Sequence, residues 1–152
     1  MKGFFKWFSI AVVLFLIVAQ FFPVDRNNPA IDPSKTLFAT KVVPASAQSI
    51  LQRSCKDCHS DETNWPWYSR VAPASWLVAS DVHGARHKMN FSEWAGYTDR
   101  QKQDKVDGIC EEVGSGDMPP LDYTLIHRNA VLSQQERDVL CRWVKATPVA
   151  AK

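Results

Sequence analysis

Cys55-Lys56-Asp57-Cys58-His59 is the stretch on which the reading of this chain turns. On a helical turn, positions i, i+3 and i+4 share one face, so two thiols and an imidazole are presented together. This spacing is the attachment signature of a c-type haem. The thiols of Cys55 and Cys58 add to the porphyrin vinyl groups, and the imidazole of His59 reaches the iron, which it suits as a ligand. Other uses of the same letters fit less well. A redox dithiol has no need of His59 and comes with a βαβ pattern that this chain lacks. A zinc site needs a second pair of ligands, and only the mismatched His83 and His87 are on offer.

Upstream, Phe4 to Phe22 carries a single charge, Lys6. At about 1.5 Å per residue such a helix covers roughly 28 Å, close to the hydrocarbon thickness of a bilayer. Lys2 and Lys6 at its start keep the amino terminus cytoplasmic and export the rest. The competing reading is a cleaved signal peptide, but Val18-Ala19-Gln20-Phe21-Phe22-Pro23 offers no small-x-small site and Ala45-Ser46-Ala47 comes too late. We therefore expect residues 1–22 to be a retained single transmembrane helix, with the remainder facing the periplasm. Residues 23–45 hold Pro23, Pro29, Pro33 and Pro44 and read as a stiff tether. Within it, Leu37, Phe38, Val42 and Val43 are apolar enough to lie against a domain.

The globular part is then 46–147, with a tail at 148–152. Of 152 residues, 45% are hydrophobic and 22% charged, which excludes a disordered chain. The formal charge is +2, with 18 basic and 16 acidic residues interspersed, so nucleic acid is not the expected partner. Apolar periodicity predicts an all-α domain. One helix runs from Ala47 into the cysteine motif, with Ile50 and Leu51 inward. Residues 60–78, with Pro66 and Pro73, read as a structured loop, followed by a short helix over 75–84. Thr98 or Asp99 caps a helix over 100–114, with Val106, Ile109, Cys110 and Val113 on one stripe; Gly114 and Gly116 end it. Ser133 and Glu136 form a capping box for a last helix with Val139, Leu140, Trp143 and Val144 inward, which Pro148 stops.

A second iron ligand is sought among Met1, Met89, Met118, His83, His87 and His127. Met118 is preferred, because Gly116-Asp117-Met118-Pro119-Pro120 leaves a helix through glycine and is stiffened by two prolines. Ligation by His59 and Met118 raises the reduction potential of a haem.

Together with Cys55-Lys56-Asp57-Cys58-His59-Ser60, the blocks Thr63-Asn64-Trp65-Pro66-Trp67-Tyr68-Ser69, Ala72-Pro73, Ser75-Trp76, Asn90-Phe91-Ser92-Glu93-Trp94, Met118-Pro119-Pro120 and Tyr123 resemble the small haem-binding domain family of bacterial exported proteins. Arg26-Asn27-Asn28-Pro29 after an apolar helix, and the segment from Leu132-Ser133 to Trp143, continue the likeness. The resemblance implies one covalent haem c in a cytochrome c-like helical domain, and it names no physiological partner. Cys110 and Cys141 stand outside its pattern. In an oxidising compartment they pair as a disulfide or remain two buried thiols. Trp65, Trp67, Tyr68, Trp76 and Pro119 are candidates for the haem crevice, and Arg70 and Arg86 for its propionates. Each is also explained by ordinary packing or by a solvated charge.

The function expected from these readings is electron transfer, not enzymatic catalysis. The chain would sit at the bacterial cytoplasmic (inner) membrane and work with a redox protein or the subunits of a respiratory complex. An open sixth position, served by His83 or His87, would make it a gas or redox sensor or a peroxidase-like enzyme instead.

Overall fold

The computed structural model describes residues 2–40 and 43–147. Val42, the stop at Pro148 and the tail 148–152 lie outside these. Every regular element among the described residues is helical. In chain order they are α1 (Lys2–Ala19), α2 (Ala45–Ser54), α3 (Lys56–His59), α4 (Ala74–Lys88), α5 (Asp99–Ser115), α6 (Leu121–Ile126) and α7 (Gln134–Ala146). Five short 3-10 turns intervene: Pro33–Lys35, Leu37–Thr40, Trp67–Arg70, Phe91–Gly96 and Arg128–Ala130.

The two amphipathic helices form where their caps put them. Thr98 and Gln101 close one capping box at the head of α5, and Ser133 and Glu136 close another at the head of α7. Each satisfies backbone donors that have no partner inside the helix. Val106, Ile109 and Val113 of α5 then meet Leu140, Trp143 and Val144 of α7. Ile50 and Leu51 of α2 and Phe91 and Trp94 of the 91–96 turn complete the core. Leu37 and Val43 are buried in it as well, so the core draws on residues before 46.

Two further connections fasten α5 to α7. Cys110 and Cys141 are joined by a disulfide, with Cα atoms 4.7 Å apart. Arg137 Nη1 donates to Val113 O at 2.7 Å. Gly116 caps α5 with φ +89°, a left-handed conformation that glycine adopts without steric cost. A Cβ there would also stand 3.2 Å from Arg137 Nη1.

Helix α4 is longer than the expected 75–84. Its buried positions, Ser75, Ala79 and Val82, are mostly small and leave little apolar period to read. Helix α6 was not anticipated. Thr124 is its buried residue, while Leu121, Leu125 and Ile126 face outward.

Among the described residues no helix is long and apolar enough to cross a membrane. Helix α1 stops at Ala19, short of the expected end at Phe22, and the chain beyond it is fastened to the domain. Gln20 donates to Ala72 O at 3.0 Å and accepts from Ala72 N at 3.1 Å. Trp76 Nε1 donates to Phe22 O at 3.0 Å. Arg26 donates to Ser69 O and Asn28 to Thr63 O, each at 2.9 Å. Residues 20–28 are thus a strap across the loop that follows the cysteine motif. Within α1 the large apolar side chains are exposed on all sides, and Ala19 is the buried residue.

Replacing both Cys110 and Cys141 by serine opens a loop of 31 residues. On the entropic account this costs about 3–4 kcal/mol. The expected outcome is a lower denaturant midpoint with a steeper slope, because the unfolded chain without the cross-link exposes more surface. An unchanged midpoint would show that the core alone holds α5 to α7.

Candidate functional site

Cys55 lies at the joint between α2 and α3. Its backbone (φ −126°, ψ −32°) leaves the line of α2, while its N–H still donates to Leu51 O. Its carbonyl accepts from the amides of Cys58, at 3.2 Å, and His59, at 2.9 Å. This single turn gathers Cys55, Cys58 and His59 onto one wall of an apolar cleft with two lobes, each of about 240 Å³. Cys55, His59, Lys88 and Met118 line both lobes. Leu51, Phe91, Ile109 and Val113 add the floor of one, while Cys58, Pro119 and Tyr123 line the other.

The imidazole is oriented. Its Nδ1 is 3.1 Å from Met89 O, which as an acceptor selects the Nδ1–H tautomer and leaves Nε2 without a proton and ready to coordinate. The ring packs on Phe91, with centroids 6.0 Å apart. Burial pushes its pKa below 6.5, against the opposing effect of the carbonyls of Met89 and Ala85, so the imidazole is neutral at neutral pH.

Met118 is held by the end of α5. The amides of Asp117 and Met118 both reach Glu112 O at 3.1 Å, and the Gly116 amide uses the same carbonyl. The thioether therefore enters the cleft from a backbone fixed by α5, and through the disulfide and Arg137 by α7.

Cys55 and Cys58 are free thiols. Burial is the first cause that pushes Cys55 up to about 12 and Cys58 up to about 11. A dithiol redox site needs the opposite, a thiolate stabilised near neutral pH. Among the described residues no cluster of three or more His, Cys, Asp or Glu side chains is placed to hold a bare metal ion. One oriented imidazole, one thioether and two neutral thiols in an apolar cleft instead suit a flat apolar macrocycle that brings its own metal.

The other residues singled out above lie elsewhere. Trp65 Nε1 donates to Asn28 Oδ1 at 3.1 Å, and Trp76 is tied to Phe22 O; both fasten the strap. Trp67 and Arg70 are exposed and line neither lobe. Tyr68 pairs with His127 Nε2 at 2.6 Å, in a third cavity. His83 and His87 are exposed.

The guanidinium of Arg86 is taken up by protein acceptors: Ser60 O, Asn27 O, Asn28 Oδ1 and Thr63 Oγ1, all within 3.1 Å, with the Asp61 carboxylate at 3.5 Å. The cations that do border the cleft are Lys88 and Lys105. Nothing in their spacing marks them in the sequence. Phe91 and Tyr123 also line it, both inside blocks quoted above for the family likeness.

A family profile described as a haem-binding domain matches residues 14–146. No curated protein and no solved structure matches the chain.

Arg86→Met is expected to destabilise folding by about 3–5 kcal/mol, because it strands the buried Asp61 carboxylate. Lys88→Met, at an exposed position, should stay within about 0.5 kcal/mol. Chemical denaturation of the two variants checks the contrast. Equal, small effects would return Arg86 to the list of cofactor-facing charges.

Proposed function

The chain belongs to the haem-binding domain family, and on that premise we propose that it is a monohaem c-type cytochrome that carries electrons and is not an enzyme. The observation that carries this reading is the meeting of Cys55, Cys58, His59 and Met118 in one apolar cleft, with both thiols unpaired. Cys55 and Cys58 would hold the haem through thioethers, His59 Nε2 would be one axial ligand and Met118 Sδ the other. When bound, the haem supplies a reversible one-electron couple.

The chain's own residues set the conditions for that couple. The Met89 carbonyl fixes the His59 tautomer, and Phe91 fixes its ring. The Glu112 carbonyl holds the Met118 backbone. The apolar floor excludes water, and Lys88 and Lys105 offer positive charge to the propionates. With His59 and Met118 both holding the iron, no position would be left there for a substrate. His83 and His87, the residues a sensor or peroxidase reading would need, line neither lobe of the cleft.

Attachment to a bacterial cytoplasmic membrane, with the domain on the periplasmic side, is supported by α1. Its large apolar side chains, and Phe21 and Phe22 beyond it, are exposed, and Ala19 is its buried residue. The partner in this reading is a redox protein or a respiratory complex in the same membrane.

The test is optical. Oxidised wild-type protein is expected to show the near-infrared methionine–iron band, and Met118→Ala is expected to lose it and to have a lower midpoint potential. A band that survives in Met118→Ala sinks the ligand assignment. Rapid carbon monoxide binding by reduced wild type would favour the sensor reading.

A further inference from the structure

A third cavity, of about 180 Å³, adjoins the cleft and shares Cys58, Asp81, Pro120 and Tyr123 with it. Its wall is mostly apolar, and a cavity of roughly 150 Å³ with aliphatic walls is known to take up a benzene ring. Its polar groups converge. Tyr68 Oη lies 2.6 Å from His127 Nε2, and Tyr123 stacks on His127 with centroids 4.3 Å apart and planes 18° from parallel. When the Tyr68 phenol donates to His127, its oxygen keeps lone pairs for another donor.

The charge at this cavity selects against anions. Asp57, Asp81 and Asp122 line it, with no lysine or arginine among its lining residues. Haem propionates would therefore lie towards Lys88 and Lys105, away from this cavity, and its ligand is not an anion.

The mouth is apolar and uncovered. Leu77 and Ile126 line the cavity and are 55% and 64% exposed. Leu121 and Leu125, also bare, lie on the same short helix as Ile126. Exposed apolar surface gathered at the opening of an apolar cavity marks a route for a ligand that is itself poorly soluble in water.

We propose that this third cavity binds the ring of a neutral hydroquinone-type electron donor, with its hydroxyl on Tyr68 Oη and its ring beside Cys58. The inference rests on the electron-carrier reading and names the class of donor. The step balances as follows. One electron would leave the ring for the ferric haem that Cys58 would hold. The hydroxyl proton passes to Tyr68 while the Tyr68 proton passes to His127, which becomes cationic. The neutral ring radical departs, and two such radicals disproportionate to one hydroquinone and one quinone.

The test uses the full-length holoprotein in detergent and tetramethylhydroquinone as the probe. Calorimetry on the reduced protein reads binding, and stopped-flow reduction of the ferric protein reads turnover. Binding and rate are both expected to saturate. Tyr68→Phe should weaken binding about fivefold, as the loss of one neutral hydrogen bond predicts. Ile126→Trp should block the mouth, and tetramethylbenzene, which lacks the hydroxyl, should bind about fivefold more weakly than the probe. Reduction by dithionite, which needs no pocket, verifies an intact haem in each variant. A rate that rises linearly without saturation, or affinities indifferent to both substitutions, overturns the inference. If the haem still cycles reversibly at an electrode, only the donor is wrong; if it does not, the carrier reading falls with it.

Discussion

The Arg86–Asp61 pair is the interaction on which the arrangement of this molecule depends. Both side chains are largely buried, at 12% and 5% exposure, and neither charge is tolerable there alone. Arg86 answers with every face of its guanidinium. It reaches the loop directly after His59, through Ser60 O, Asp61 and Thr63, and it reaches back to the strap through Asn27 and Asn28. Asn90 adds a second donor to Asp61 at 3.0 Å, and Ser92 takes the Asp61 amide. Helix α4, the cysteine turn, the strap and the 91–96 turn are therefore registered to one another by a single buried ion. Met89 and Phe91, the two residues that orient His59, flank Asn90 in that registered segment.

This dependence explains what could be read from the chain and what could not. The cysteine turn and the capping boxes at Thr98 and Ser133 are local chemistry, with partners three or four residues apart, and they stand plainly in the sequence. So does the apolar stripe of α5 and α7. The roles of Arg86, Trp65 and Trp76 did not. As residue types they suit a propionate or a porphyrin edge equally well, and their real partners, 23 to 59 positions away, are backbone carbonyls, Asn28 and, for Arg86, Thr63 and the Asp61 carboxylate. Lys88 was silent for the same reason, since its place at the cleft follows from the length of α4, which carries too few large apolar residues to announce itself. Proline density over 23–45 describes a stiff tether and says nothing about where its backbone groups point, so the contacts of the strap do not stand in the sequence.

The site also shows how a soft thioether can be placed by hard constraints. Met118 sits on irregular backbone, yet three consecutive amides converge on Glu112 O, and α5 is locked to α7 by a covalent bond and an arginine. A long, flexible side chain is thereby held at its root, and only its own torsions remain free. The same end of the helix needs glycine at position 116, both for its dihedral angle and for the space that Arg137 occupies.

The four cysteines carry a consequence for biogenesis. One pair is oxidised and the other is free. Cys55 and Cys58 are three residues apart and meet in any helical or turn-like conformer, whereas Cys110 and Cys141 meet only after α5 has found α7. An oxidant acting on the nascent chain would reach the wrong pair first, because short loops close soonest. Covalent haem attachment as proposed above would then need Cys55 and Cys58 to be free at a stage when Cys110 and Cys141 are already joined, the state the structure has.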